Sequence, residues 1–266
     1  MGNAPIGIFD SGLGGLTVAR SVIDKLPRES IVYLGDTRHT PYGDKSLEDV
    51  RSLTLKALDE LVERGIKMLV IACNTGSAAA LPQARDRYDI PVVEVVQPAA
   101  RRAGALTRNG HVGVLATAAT VRSGAYERAF SAFPGVSLTQ QACPQFVPFV
   151  ERGETTGGRI LQIAREYLAP VQAADVDTVI LGCTHYPLLT GVLSYVLGEG
   201  VNLVSSSEAS ADEVYHVLTN REMLRTELDA PSYEFYATGQ SESFEPLARR
   251  FLGPVVSHVK HLEVRE

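Results

Sequence analysis

Leu69-Val70-Ile71-Ala72-Cys73-Asn74-Thr75 and Val179-Ile180-Leu181-Gly182-Cys183-Thr184-His185 are short apolar runs that end alike, in a cysteine followed by polar residues. Runs of this kind, rich in branched aliphatic residues and without polar alternation, read as strands buried on both faces, which belong to a parallel sheet covered by helices. Ligands of an open parallel sheet bind beyond the carboxyl ends of its strands. Each thiol is therefore delivered to an edge where a site forms.

The same alternation of apolar runs and amphipathic segments extends along the chain and predicts an α/β fold. Strands are expected over 5–10, 31–35, 67–73, 91–96, 111–116, 177–183, 201–205 and 233–237. Residues 46–63 carry Leu47, Val50, Leu53, Leu58, Leu61 and Val62 at near-helical spacing, with Ser46 placed as N-cap, and 155–172 and 207–219 read similarly. A faint duplication is also legible. Ile6-Gly7-Ile8-Phe9-Asp10-Ser11 resembles Val112-Gly113-Val114-Leu115-Ala116-Thr117, and the cysteine strands recur after roughly 110 residues, a period fit for half-domains. We expect two similar lobes, 1–97 plus 208–266 and 98–207, each a mostly parallel sheet flanked by helices, with the active site in the cleft between them. A single extended sheet is the alternative that the pattern leaves open.

The chain has 266 residues, 45% hydrophobic and 21% charged, enough to bury a full core. A formal charge of -6, without basic runs or interleaved aromatic residues, argues against nucleic acid and anionic membranes and for a small polar metabolite. No apolar run approaches the ~20 residues needed to span a bilayer, and the first residues carry no secretory or myristoylation pattern. Cys73, Cys143 and Cys183 are too few for a disulfide framework and form no C-x-x-C pair, which fits reduced thiols in a cytosol.

Phe9-Asp10-Ser11-Gly12-Leu13-Gly14-Gly15-Leu16-Thr17 opens a helix after the first strand and reads as an anion site for a carboxylate or phosphate, with Asp10 a base or amine partner beside it. Thr17 stands where a dinucleotide fingerprint needs its third glycine, so NAD is disfavoured. A tight turn capped by Asp10 and Ser11 is the plainer reading of the same loop. Thr40-Pro41-Tyr42-Gly43-Asp44 is a turn placed to cover the same sheet edge. Behind Cys73, the polar residues Asn74 and Thr75 and a helix start favour the thiolate; behind Cys183 come Thr184 and His185, the latter a proton reserve or a capping residue. Taken singly, a cysteine ending an apolar strand is core packing, the reading that Cys143 keeps; the matched pair argues otherwise. Glu151 is a solvated glutamate or an assistant to the site, and Thr117 and Thr120 cap a helix or donate to a carboxylate.

Two thiols facing one pocket suit a reaction that removes a proton from one face of a carbon and returns one to the other, as in racemisation beside a carboxylate. Donors around 11, 42–43, 74–75 and 184–185 would hold the developing charge. A pyridoxal route needs a Schiff-base lysine, and Lys25, Lys45, Lys56, Lys67 and Lys260 stand at no convincing strand end, so no cofactor is expected. Two other classes remain open: a zinc protein using Cys73, Cys183 and His185, and an amino-acid-binding module without chemistry.

Four ordered motifs, Gly7-Ile8-Phe9-Asp10-Ser11-Gly12-Leu13-Gly14-Gly15-Leu16-Thr17, Gly35-Asp36 with Pro41-Tyr42-Gly43, Ala72-Cys73-Asn74-Thr75, and Leu181-Gly182-Cys183-Thr184-His185-Tyr186-Pro187-Leu188, give a chain that resembles the cofactor-independent aspartate and glutamate racemase superfamily, on its glutamate side. The resemblance implies two α/β domains, interconversion of L- and D-glutamate for peptidoglycan synthesis, with aspartate or another amino acid as the alternative substrate, no cofactor or metal, and a homodimer. By it, Cys73 and Cys183 act on opposite faces of the α-carbon, assisted by Asp10, Glu151 and His185. Substrate would be bound by Asp10, Ser11, Tyr42, Gly43, Asn74, Thr75, Thr184 and His185. Gly76 departs from the alanine usual after Asn-Thr, and Arg38-His39-Thr40 is also atypical.

Overall fold

The computed structural model describes residues 2–264. Among the described residues ten strands form two sheets, not one: β1 (Ile6–Asp10), β2 (Ile31–Gly35), β3 (Met68–Ile71), β4 (Val92–Glu94), β5 (His111–Ala116), β6 (Ser137–Ala142), β7 (Thr178–Gly182), β8 (Asn202–Ser205), β9 (Tyr233–Ala237) and β10 (Val259–His261). The first sheet has the order β10-β9-β2-β1-β3-β4 and the second β6-β5-β7-β8, and every pairing is parallel. All eight expected strands form. β6 and β10 are additional edge strands.

Both faces of each sheet are covered, which is why the central strands read as continuous apolar runs. On one face of the first sheet, Ile8, Tyr33 and Val70 pack with Val18 and Val22 of helix Leu16–Lys25 and with Val214 and Leu218 of helix Ser206–Asn220. On the other, Phe9, Leu34 and Ile71 meet Val50, Leu58 and Leu61 of helix Leu47–Val62. Ser46 caps that helix as expected, its hydroxyl accepting the Asp49 amide at 3.1 Å. The second sheet lies between Ile160, Ala164 and Leu168 of helix Gly158–Ala173 and Ala99, Ala103 and Tyr126 of two helices opposite.

The register explains where a site forms. From β1 the chain runs to β2 on one side, whereas from β3 it runs to β4 on the other, so a crevice opens between the carboxyl ends of β1 and β3. β5 and β7 are related in the same way, with β6 and β8 outside them. Cys73 follows β3 and Cys183 follows β7. Each cysteine thus ends beside a topological switch point.

Candidate active site

A cavity of about 120 Å³ lies where the two crevices meet, and both Cys73 and Cys183 line it. Ser11, Tyr42, Gly43, Asn74, Thr75, Thr117, Glu151, Thr184 and His185 line it too, as does Thr40 of the turn expected to cover this edge, with Ala118 and Pro144 among the residues not expected from the sequence. Asp10 and Thr120 stand behind the lining, both fully buried. The expected residues therefore converge on one place, in a first layer and a supporting one.

Two glycines let the lobes touch. A Cβ on Gly14 would fall 2.2 Å from Thr184 Oγ1 and 2.5 Å from His185 Nδ1, and one on Gly43 would meet Thr117 Cβ at 3.1 Å. The glycine loop is consequently not an open anion cradle. The Asp10 carboxylate accepts the Gly12 amide at 2.9 Å, Leu16 and Thr17 donate their amides to Leu13 and Gly14, and the glycines serve close approach. Thr17 uses the third-glycine position to donate to the Thr184 carbonyl at 3.0 Å and to pair with the Ser207 hydroxyl at 2.8 Å.

Cys73 N-caps helix Asn74–Arg87, its sulfur accepting the Gly76 amide at 3.3 Å while the thiol donates to Ser11 Oγ, also at 3.3 Å. The expectation that the helix start favours the thiolate is corrected here. Burial, then the charge of Asp10, push the thiol up to about 12, against the Ser11 hydroxyl and the Gly76 amide. Cys73 rests as a thiol. Burial likewise lifts the Asp10 carboxyl above its ordinary range, against the opposing charge of His185 and the amides of Gly15, Gly12 and Ser11, and its Oδ1 has no hydrogen-bond partner.

Cys183 faces another set of groups. His185 Nδ1 stands 3.9 Å from its sulfur, and Glu151 Oε1 approaches His185 Nε2 at 3.4 Å, an ion-pair distance without hydrogen-bond alignment. Burial alone would lower the imidazole, but the Cys183 sulfur and the Glu151 carboxylate, with the charge of Asp10, outweigh it and raise His185 to about 10. The groups around this ring thus favour its protonated form.

The remaining polar groups are distributed unequally. Thr75 Oγ1 bonds Thr117 Oγ1 at 3.0 Å and Thr120 Oγ1 at 3.2 Å, a hydroxyl cluster that joins the lobes, and Ala119 donates its amide to the Gly43 carbonyl at 3.1 Å. Tyr42 differs from expectation in one respect. Its hydroxyl is donated at 2.6 Å to Asp36, a buried carboxylate that also accepts Thr238 and contacts His39, so the tyrosine builds the wall and its hydroxyl is committed elsewhere. Cys143 is buried and packs with Phe146 and Tyr186, as the packing reading has it. Among the described residues no three His, Cys, Asp or Glu side chains gather to hold a metal, and no helix is long and apolar enough to cross a membrane.

Residues 15–214 match the Asp/Glu/Hydantoin racemase family. A glutamate racemase of Saccharopolyspora erythraea is 59% identical over 254 residues, covering 96% of this chain and 94% of that protein. Among solved structures, glutamate racemase isoform RacE1 from Bacillus anthracis superposes with a TM-score of 0.94 at 38% identity, covering 100% of this chain and 98% of that one. Glutamate racemase from Francisella tularensis, solved in complex with D-glutamate, gives 0.93 at 32% identity and covers 99% of both chains.

Proposed function

This chain belongs to the Asp/Glu/hydantoin racemase family, an isomerase acting on amino acids, and from that premise we propose that it interconverts L- and D-glutamate by proton transfer between Cys73 and Cys183. The observation that carries this reading is the pair of thiols lining one cavity from the ends of two separate sheets. It is supported by relatives named as glutamate racemases that match nearly the whole length. In this reading, residues 1–97 with 208–266 and residues 98–207 are the two lobes that close on the substrate.

One sulfur, as thiolate, takes the α-hydrogen as a proton from one face, and the electron pair moves into the adjacent carboxylate. The other sulfur, as thiol, gives its proton to the opposite face, so the configuration inverts and the enzyme ends with the proton on the first sulfur. The helix-start amides of Asn74 and Thr75 and the hydroxyl of Thr184 stabilise the charge that develops on the carboxylate. His185 with Glu151 serves Cys183, and Asp10 serves Cys73. The product would supply D-glutamate for peptidoglycan.

The test is to incubate L-glutamate with protein treated with chelator and given no cofactor. Optical rotation should decay to zero as D-glutamate accumulates to an equal amount. Tight binding with no change in rotation would make the chain a binding module and end this reading.

A further inference from the structure

Tyr33 carries a hydroxyl into a core of aliphatic and aromatic side chains. It lies on β2 in register with Ile8 of β1, is fully buried, and sets its ring against Phe235 and Phe244 at centroid distances of 6.2 and 6.3 Å. A phenylalanine would pack there with no polar atom to satisfy. The tyrosine instead donates its hydroxyl to the Gly12 carbonyl at 2.8 Å. That oxygen sits in a narrow slot, since a Cβ on Gly35 would fall 2.6 Å from it.

Gly12 belongs to the loop that carries both neighbours of Cys73. Its amide donates to Asp10 Oδ2 at 2.9 Å, and Ser11, the residue before it, accepts the Cys73 thiol at 3.3 Å. Gly15 makes room for the tyrosine beside the carboxylate: a Cβ there would lie 2.3 Å from Asp10 Cβ and 2.9 Å from Tyr33 Oη. Tyr33 is not among the residues that line the cavity, so whatever it does for the reaction it does through this loop.

We propose that Tyr33 is a positioning residue for the Cys73 half of the site: its hydroxyl holds the Gly12 residue by its carbonyl, and so keeps Asp10 and Ser11 in place beside that thiol. This rests on the two-thiol reading given above. One buried hydrogen bond thereby serves one of the two sulfurs, and the groups around Cys183 do not depend on it.

Tyr33→Phe removes the hydroxyl and keeps the ring. In both directions kcat should fall about tenfold, with KM changed less than about threefold. Combined with Asp10→Asn the substitution should cost less than about twofold more, whereas combined with His185→Asn it should cost about the full tenfold. Alkylation by iodoacetamide, mapped to each cysteine by mass spectrometry, gives a readout that needs no turnover. As the loop loosens, the rate at Cys73 should rise at least about threefold while that at Cys183 stays within about 1.5-fold. Phe235→Leu, which disturbs the same packing and leaves the hydroxyl, should reproduce neither effect. An unchanged kcat in Tyr33→Phe overturns the proposal, as do equal losses in the two double variants, alkylation that rises at both sulfurs or at neither, or a Phe235→Leu variant that behaves as Tyr33→Phe does. If the wild-type chain does not racemise glutamate, the functional reading fails, and the alkylation rates still decide whether Tyr33 holds this loop.

Discussion

Cys73 and Cys183 occupy equivalent points of two sheets, yet their surroundings differ. Cys73 caps a helix of 14 residues, donates to Ser11 and keeps its proton because burial and Asp10 oppose the thiolate. Cys183 stands before a 3-10 turn of only four residues, Tyr186–Leu189, and has His185 beside it with Glu151 beyond the ring. The duplicated fold supplies two thiols in one cavity, and the unlike neighbours separate their chemistry. In the proposed racemisation one sulfur holds the proton that the other lacks and the roles exchange with direction, so the unlike neighbours set how each sulfur is served, not whether the reaction can run.

The comparison breaks most visibly at the sulfurs. Cys73→Ser and Cys183→Ser should each lower racemisation by at least about 10³-fold, since each removes one proton carrier. The residual α-hydrogen exchange, followed by NMR in D2O, should favour opposite enantiomers in the two variants. Full activity in either one would defeat the two-thiol assignment. Gly14→Ala comes next, because its Cβ would collide with Thr184 and His185 on the Cys183 side. A loss of about 10²-fold in kcat is expected from the misplaced imidazole.

His185 sharpens the contrast through pH. With its ring raised to about 10, the rate should fall as pH passes that value, and His185→Asn should lose this alkaline limb along with about tenfold in kcat. Stability should follow with a definite sign. A histidine raised in the folded state stabilises fully below its unfolded value of ~6.5, and that stabilisation is lost as pH rises through about 10. The melting temperature of wild type should therefore exceed that of His185→Asn in acid, and the gap should close in alkali.

The smallest effect lies on the Cys73 side. Gly76→Ala places a Cβ 3.2 Å from Thr54 Oγ1, so a gain of up to ~1 kcal/mol in helix propensity meets a tight neighbour. Net stability should move by less than about 1 kcal/mol in a thermal melt, with under about twofold change in turnover.

Much of this was legible because the informative residues are local. Buried parallel strands are continuous apolar runs, and the central ones, including both that end in the site cysteines, are legible for that reason. β6, Ser-Leu-Thr-Gln-Gln-Ala, is an edge strand with one large apolar residue, and β10 is three residues long, so neither leaves a pattern. Contacts across the lobes were hidden for another reason. Thr17 to Thr184 spans 167 positions and Asn74 to Tyr126 spans 52, distances over which spacing carries no signal. The only local cue was Thr17 itself, standing where a dinucleotide loop has glycine. The resting state of Cys73 is not legible in the sequence, because a helix start is visible there and the depth of burial is not.

The most direct test of two sulfurs on opposite faces is the fate of the α-hydrogen during the first few per cent of L-glutamate turnover in D2O. The account predicts D-glutamate carrying solvent deuterium while the remaining L-glutamate keeps its original hydrogen, because one group removes the proton and another, exchanged with solvent, replaces it. D-glutamate that retains the original hydrogen would mean that one group serves both faces, and the account would be wrong.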